Sequence, residues 1–330
     1  MREFDYRRAT DVAGAVALLG TGPDTRCLGG GTNLVDLMKT GVERPDRLVD
    51  IRELPLDRIE STEDGGLRIG ATVTNADLAA HPEVRRRYPA LAQALLAGAS
   101  GQLRNMATVG GNLLQRTRCG YFADVSRPCN KRIPGSGCPA VEGEHHNHAI
   151  LGASAHCVAV HPSDMAVPLT AFDAVVRYET TDGPGELPLA EFYLPVGDTP
   201  HLETALPPGA LITEVVLPPA PVAARSRYRK VRERASYAFA IGSLAAALDV
   251  RDGVVHEARL AFGAVASRPW RALAAERVLT GAPAEPETYA AAARAELAAA
   301  RPLPHNGYKV TLMRNLVVAV LTELAEEAAR

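Results

Sequence analysis

Two groups of residues in this chain have the types and spacing for chemistry. The first is a set of thiols. Cys119, Cys129, Cys138 and Cys157 run as C-x9-C-x8-C-x18-C inside one stretch, and only Cys27 lies outside it. Four thiolates hold an iron–sulfur cluster or a tetrahedral zinc ion. The spacing has no CxxC pair, so other readings stand beside a cluster: zinc with His145, His146, His148 or His156 joining the ligands, disulfides in an exported protein, or free structural cysteines. Residues 115–157 lack hydrophobic periodicity and are rich in Gly and Pro, so a metal clip would give the stretch a physical means of folding. Cys27 reads as a small buried residue and not as a ligand.

The second group is a pair of glycine loops. LGGGTNL supplies Leu28, Gly29, Gly30, Gly31, Thr32, Asn33 and Leu34; TVGGNL supplies Thr108, Gly111 and Asn112. Consecutive glycines let backbone N–H groups converge into a nest for an anion, and phosphate is the usual guest. Neither loop is G-x-G-x-x-G or GxxxxGK[ST], which argues against an ordinary Rossmann NAD site and an ATPase. Two such nests suit the two phosphates of a dinucleotide. No Ser-His-Asp, HExxH or paired-carboxylate pattern is visible, as expected where a cofactor carries the chemistry.

Elements must position these loops. Thr10 is expected to cap a helix over 11–19, with Val12, Val16 and Leu19 on one face. Strands are expected at 25–28 and 47–51, then at 67–73, where LRIGATV alternates. Thr74 or Asn75 should cap a short helix before Pro82. A longer helix over 84–97 must break at Pro89. Strand-like patterning resumes at 157–160, 174–178 and 211–217. After PPAPVAA (218–224), strands at 226–232, 240–250 and 254–265 precede helices near 271–279, 286–300 and 310–329. That order reads as a separate α+β domain.

Composition excludes several classes. The chain has 330 residues, enough for about two domains. Lys plus Arg is 36 against Asp plus Glu at 38, a net charge of −2 that argues against a nucleic-acid coat or a polybasic membrane binder. Five cysteines are too few for a disulfide scaffold. The opening MREFDYRRATDVAGAVALLG has scattered charges and no apolar h-region, so the sequence reads as cytoplasmic by itself. Periplasmic co-export with a signal-bearing partner remains compatible with that.

LGGGTNLVDLMK and LRNMATVGGNLLQ resemble the two FAD-binding loops of the flavin subunit of molybdenum hydroxylases, the family of xanthine dehydrogenase, carbon monoxide dehydrogenase and aldehyde oxidoreductases. The resemblance continues through HPSDMAVPLTAFDA, LITEVVLP and YRKVRERASYAFA, in order along nearly the whole chain. RTRCGYF, RPCNKRIPGSGC and HAILGASAHCVAVHPSDMA look most like the FAD subunit of bacterial periplasmic aldehyde oxidoreductases. The resemblance implies an α+β chain: a vanillyl-alcohol-oxidase/PCMH-like FAD domain of two subdomains (1–54 and 55–224, with a Cys-rich insert at about 115–157), then a C-terminal α+β domain (225–330) built on a three-stranded antiparallel sheet with helices. It implies FAD held at the pyrophosphate by Leu28 to Leu34 with Thr108, Gly111 and Asn112. Asp164 would meet the ribityl or ribose side, and Ile212 and Lys230 would flank the isoalloxazine or its neighbouring polar atoms. It also implies a [4Fe–4S] cluster on Cys119, Cys129, Cys138 and Cys157, which leaves the four histidines as ordinary loop residues.

The partners implied are a large molybdenum-cofactor subunit and a small [2Fe–2S] subunit in a heterotrimer. Electrons would pass through FAD to an external acceptor, with substrate hydroxylation in the large partner. The competing functions are a self-contained FAD oxidase or reductase of the same fold, and a metal-clipped interaction module without flavin.

Overall fold

The computed structural model describes residues 1–328. Three sheets carry the chain. The first is parallel, in order β1-β3-β2, from β1 (Asp5–Arg8), β2 (Thr25–Leu28) and β3 (Arg47–Asp50). The helix Val12–Leu19 covers it through Ala15, Val16 and Leu19. Asp11, not Thr10, caps that helix: its carboxylate accepts from the Gly14 N–H at 2.7 Å. A carboxylate beside the helix N-terminus gains from the helix dipole as well as from the hydrogen bond. Cys27 is partly buried against this core, and burial pushes its thiol up to about 12, which keeps it protonated as expected of a packing residue.

Asp50 ends β3 with its side chain buried among partners. It accepts hydrogen bonds from the Tyr6 hydroxyl and from the Arg52 backbone N–H, and pairs with the Arg52 guanidinium at 2.7 Å. Burial alone would raise this carboxyl. The bonds from Arg52 and Tyr6 outweigh it and hold the group well below the usual carboxylate range. A depressed folded-state pKa contributes stability above the unfolded value, about 3.9, and loses it as pH falls toward the folded one. Asp50→Asn should therefore flatten the fall in stability below about pH 4, read as urea midpoints at successive pH values.

The second sheet is antiparallel, in order β4-β5-β8-β6-β7, from β4 (Ile59–Ser61), β5 (Leu67–Gly70), β6 (Val175–Thr180), β7 (Gly183–Pro188) and β8 (Leu211–Leu217). The residues between β5 and β6 hold the second glycine motif and the cysteine stretch. Strand β7, GPGELP, is absent from the sequence expectations because Gly and Pro weaken a strand signal; it pairs only with β6, at the edge where Pro is tolerated. Residues 84–97 divide as expected at Pro89, into the helices Pro82–Arg87 and Pro89–Ala97. The expected strand at 157–160 is not one: only an isolated bridge between Ser154 and Cys157 forms there.

The third sheet is antiparallel, in order β12-β11-β10-β9, from β9 (Ser226–Val231), β10 (Gly242–Arg251), β11 (Val254–Gly263) and β12 (Trp270–Arg271). The expected three strands gain a fourth, because Trp270 and Arg271 pair with Phe262 and Ala261 where a helix start was expected. The helices Leu273–Leu279, Pro286–Leu297 and Tyr308–Ala328 follow; residue 329 of the expected last helix lies outside the described residues. Strand β10 is buried on both faces. Leu244, Ala246 and Leu248 join Phe262, Val317 and Val320 in the C-terminal core. Ala245 and Ala247 join Leu91, Val167 and Leu217 in the core of the second sheet. The two-residue side-chain period of a strand makes this division, and it explains why SLAAAL carries no polar face.

Candidate functional site

The two glycine motifs meet. The bridge between Thr74 and Thr108 and the bond from Asn75 N–H to the Ala107 carbonyl, 2.8 Å, fix the second motif beside the helix Asn75–Ala80. TVGGNL is not a free loop: Thr108 caps the helix Val109–Leu113, its hydroxyl accepting from the Gly111 N–H at 3.3 Å. That amide is thereby used internally and is not free for an anion. The first motif stays irregular. Gly31 takes the left-handed φ of +72° that glycine supplies at no steric cost. Gly30 instead serves close approach, since a Cβ there would overlap the Met106 carbonyl of the other motif.

The motifs open onto two adjoining cavities of about 290 and 520 Å³, both of which Thr32, Asn33 and Gly111 line. Gly29, Gly30, Gly31, Leu34, Thr108 and Ile212 line the smaller one. Asn112, Asp164 and Lys230 line the larger one. Leu28 lines neither: it belongs to β2, and its carbonyl accepts from the Ile51 N–H at 3.1 Å. Ile212 and Lys230, both expected beside the isoalloxazine or its neighbouring polar atoms, line different cavities. The Lys230 ammonium is turned to the protein, 2.7 Å from the Asp164 carboxylate and 3.2 Å from the Ala97 carbonyl.

Asp164 also accepts from the Tyr228 hydroxyl at 2.6 Å. Burial pushes the Tyr228 phenol well above its ordinary value, so it remains a donor. The side chains of Lys230 and Asp164 are only 3% and 10% exposed. Removing one partner leaves a buried charge, so Asp164→Ala should cost about 3 kcal/mol in urea unfolding, and Lys230→Met added to it should recover much of that loss.

Several observations make these cavities fit a dinucleotide with a diphosphate. Among the described residues, the backbone N–H groups of Gly30, Gly31, Thr32 and Asn33 donate to no protein acceptor. The Asn33 side-chain oxygen, Oδ1, accepts from the Arg116 backbone N–H at 2.8 Å, while its Nδ2 is buried without a partner. Asn75 presents a second orphaned buried atom, Oδ1, and lines the larger cavity. Buried polar atoms need partners, and here a ligand is the partner available. Asn75 and Arg118 line the larger cavity, and pattern reading did not mark them. Arg118 lies over the Phe239 ring, 4.7 Å from its centroid, on the wall of the larger cavity. The only sequence signal for Arg118 was its place beside Cys119.

The four thiols of the cysteine stretch also come together. Cys119, Cys129, Cys138 and Cys157 line one cavity with Phe122 and Ala140. The Phe122 and Ala123 N–H groups donate to the Cys119 carbonyl at 3.1 and 3.0 Å, and the Val141 N–H to the Cys138 carbonyl at 3.2 Å. The neighbouring Cys157 holds the Cys138 thiol below its ordinary range, while Cys138 and burial push the Cys157 thiol up and burial pushes the Cys119 thiol up. Among the described residues, no three Cys, His, Asp or Glu side chains stand close enough to chelate a single ion. Two of the histidines, His145 and His148, are more than ordinary loop residues. His145 is buried and stacked on His305, His146 stacks on Tyr308, and His148 Nε2 lies 3.2 Å from the Cys119 sulfur. His156 is exposed, although it reaches the rim of the thiol cavity.

Residues 2–220 match the family described as FAD binding domain in molybdopterin dehydrogenase. The chain belongs to this family. Residues 226–324 match the CO dehydrogenase flavoprotein C-terminal domain. The chain is 51% identical over 330 residues to the aldehyde oxidoreductase FAD-binding subunit PaoB of Escherichia coli strain K12, covering 99% of this chain and 100% of that one. It is 28% identical to the putative xanthine dehydrogenase FAD-binding subunit XdhB of the same strain, over 86% of this chain and 81% of that one. Among solved structures, it matches a chain of the carbon monoxide dehydrogenase from Hydrogenophaga pseudoflava with a TM-score of 0.76 and 26% identity, covering 98% of each. The α+β architecture, an FAD-binding domain followed by a C-terminal flavoprotein domain, is that of this molybdopterin dehydrogenase family. No helix among the described residues is long and apolar enough to cross a membrane.

Proposed function

We propose that this chain is the FAD-bearing electron-transfer subunit of a molybdenum-dependent aldehyde oxidoreductase, and that it also holds a [4Fe–4S] cluster. The observation that carries the reading is the joined pair of cavities beneath both glycine motifs, in a chain half identical to an aldehyde oxidoreductase FAD-binding subunit along its full length. The chain takes up electrons released by substrate hydroxylation in a large molybdenum-cofactor partner, relayed by a small [2Fe–2S] partner, and delivers them to an external acceptor. When bound, FAD supplies one- and two-electron chemistry and the cluster one-electron chemistry, which the side chains lack.

The protein's part is to bind and orient. The amides of residues 30–33 with Asn33 Nδ2, Thr108 and Asn112 hold the diphosphate, with Leu28 setting the strand that leads into the loop. Asp164, fixed by Lys230 and Tyr228, presents a carboxylate edge to the ribityl or ribose hydroxyls. Ile212 gives an apolar wall. Cys119, Cys129, Cys138 and Cys157 hold the cluster.

The full complex and this chain alone, each purified without oxygen, test the reading by visible spectrum with flavin, iron and zinc analysis. The expected result is one FAD with about four irons per chain. Zinc without iron would sink the cluster assignment and leave the flavin assignment standing.

A further inference from the structure

His148 is the only one of the four histidines in the cysteine stretch whose ring is hydrogen-bonded to a thiol, at 3.2 Å from Nε2 to the Cys119 sulfur. Its Nδ1 is buried without a partner. A proton on Nδ1 would be a buried donor with no acceptor, whereas a proton on Nε2 has the sulfur; the orphan left at Nδ1 is then only a lone pair, the cheaper one to leave unpaired. The backbone around His148 is held from the C-terminal domain. The wholly buried Lys309 ammonium donates to the carbonyls of Asn147, His148 and Ala264 at 2.9, 3.0 and 2.9 Å. The buried Asn306 amide donates to the carbonyls of His148 and Ala149 at 3.3 and 3.1 Å. A lysine caged by carbonyls, and not paired with a carboxylate, serves to fix backbone.

We propose that His148 is a positioning residue for the cluster ligand Cys119, donating its Nε2–H to the sulfur, and that Lys309 and Asn306 of the C-terminal domain hold it in place. The inference rests on the cluster reading above. An N–H···S bond draws negative charge from the sulfur and stabilises the reduced cluster, so it raises the reduction potential. It also makes the C-terminal domain part of the cluster site, although that domain contributes no ligand.

The test is a redox titration of the anaerobically purified full complex, with the reduced cluster followed by electron paramagnetic resonance. His148→Ala should shift the cluster's reduction equilibrium about tenfold toward the oxidised form, about 59 mV for one electron. His148→Gln, whose amide N–H can reach the same sulfur, should return it to near the wild-type value. Full iron content with an unshifted potential in His148→Ala overturns the role. If His148→Ala loses its iron, His148→Gln decides: a cluster at wild-type potential supports the role, while a shifted potential or lost iron overturns it. A wild-type chain without iron would instead overturn the cluster reading itself, before any variant is made.

Discussion

Gly30→Val is expected to abolish FAD retention and to destabilise the chain by about 3 kcal/mol. A side chain at residue 30 would run into the Met106 carbonyl, which is backbone and cannot rotate away. The clash separates the two motifs whose contact forms the cavities. Affinity should fall at least a hundredfold, about 2.7 kcal/mol, when read by flavin released on gel filtration or by fluorescence titration. Gly111→Ala is the informative comparison. Its Cβ would meet only the Thr108 hydroxyl, at 3.0 Å, so it should weaken FAD binding with little cost in stability. Equal retention of FAD by Gly30→Val and wild type would remove the loop-to-loop contact from the account of the site.

Cys129→Ala is expected to bring the iron content from about four per chain to less than one. Protease sensitivity should rise between residues 119 and 157. That stretch has almost no regular structure of its own, only the helix Gly120–Ala123 and a single turn at Pro139–Val141, and few residues to form a core. Without a cluster, its order depends on isolated anchors such as Asn130, which bonds the Gly137 N–H at 2.8 Å and the His156 carbonyl at 2.9 Å. Flavin should stay bound, because the glycine motifs, Asp164 and Lys230 lie outside the stretch. Cys27→Ser is the control and should keep all of its iron, since Cys27 lies by the first sheet and away from the thiol cavity. Full iron in Cys129→Ala, or iron lost from Cys27→Ser, would overturn the division of the five thiols.

The two predictions differ in how visible their grounds are in the sequence. Cys129 is readable as one of four thiols in a stretch without periodicity. Gly30 is readable as a loop glycine suited to an anion nest, but its need for close approach to Met106 is not. Those residues lie far apart in sequence, and only the packing of the first motif on the second makes a side chain there impossible. The same holds for Lys230 and Asp164. Each was assigned by resemblance to the cofactor, yet each has the other as its first partner, because a buried ammonium and a buried carboxylate must find opposite charge before either can serve a ligand. Asn75 was legible only as a helix-cap candidate. Its role on the cavity wall appears when its oxygen is found buried and unpaired.

The sequence by itself determined the residue types: glycines for irregular backbone, four thiols in a stretch unable to fold on apolar periodicity, and the period-two and period-3.6 patterns that place most strands and helices. Those are local properties, set by φ, ψ and side-chain direction within a few residues. The tertiary structure decided which remote groups meet: Gly30 with Met106, Lys230 with Asp164, His148 with Cys119, and the two opposite cores that share β10. Burial removes water as the alternative partner, so each buried charge and donor must be matched by whatever the fold brings within about 3 Å, and sequence spacing does not record that match.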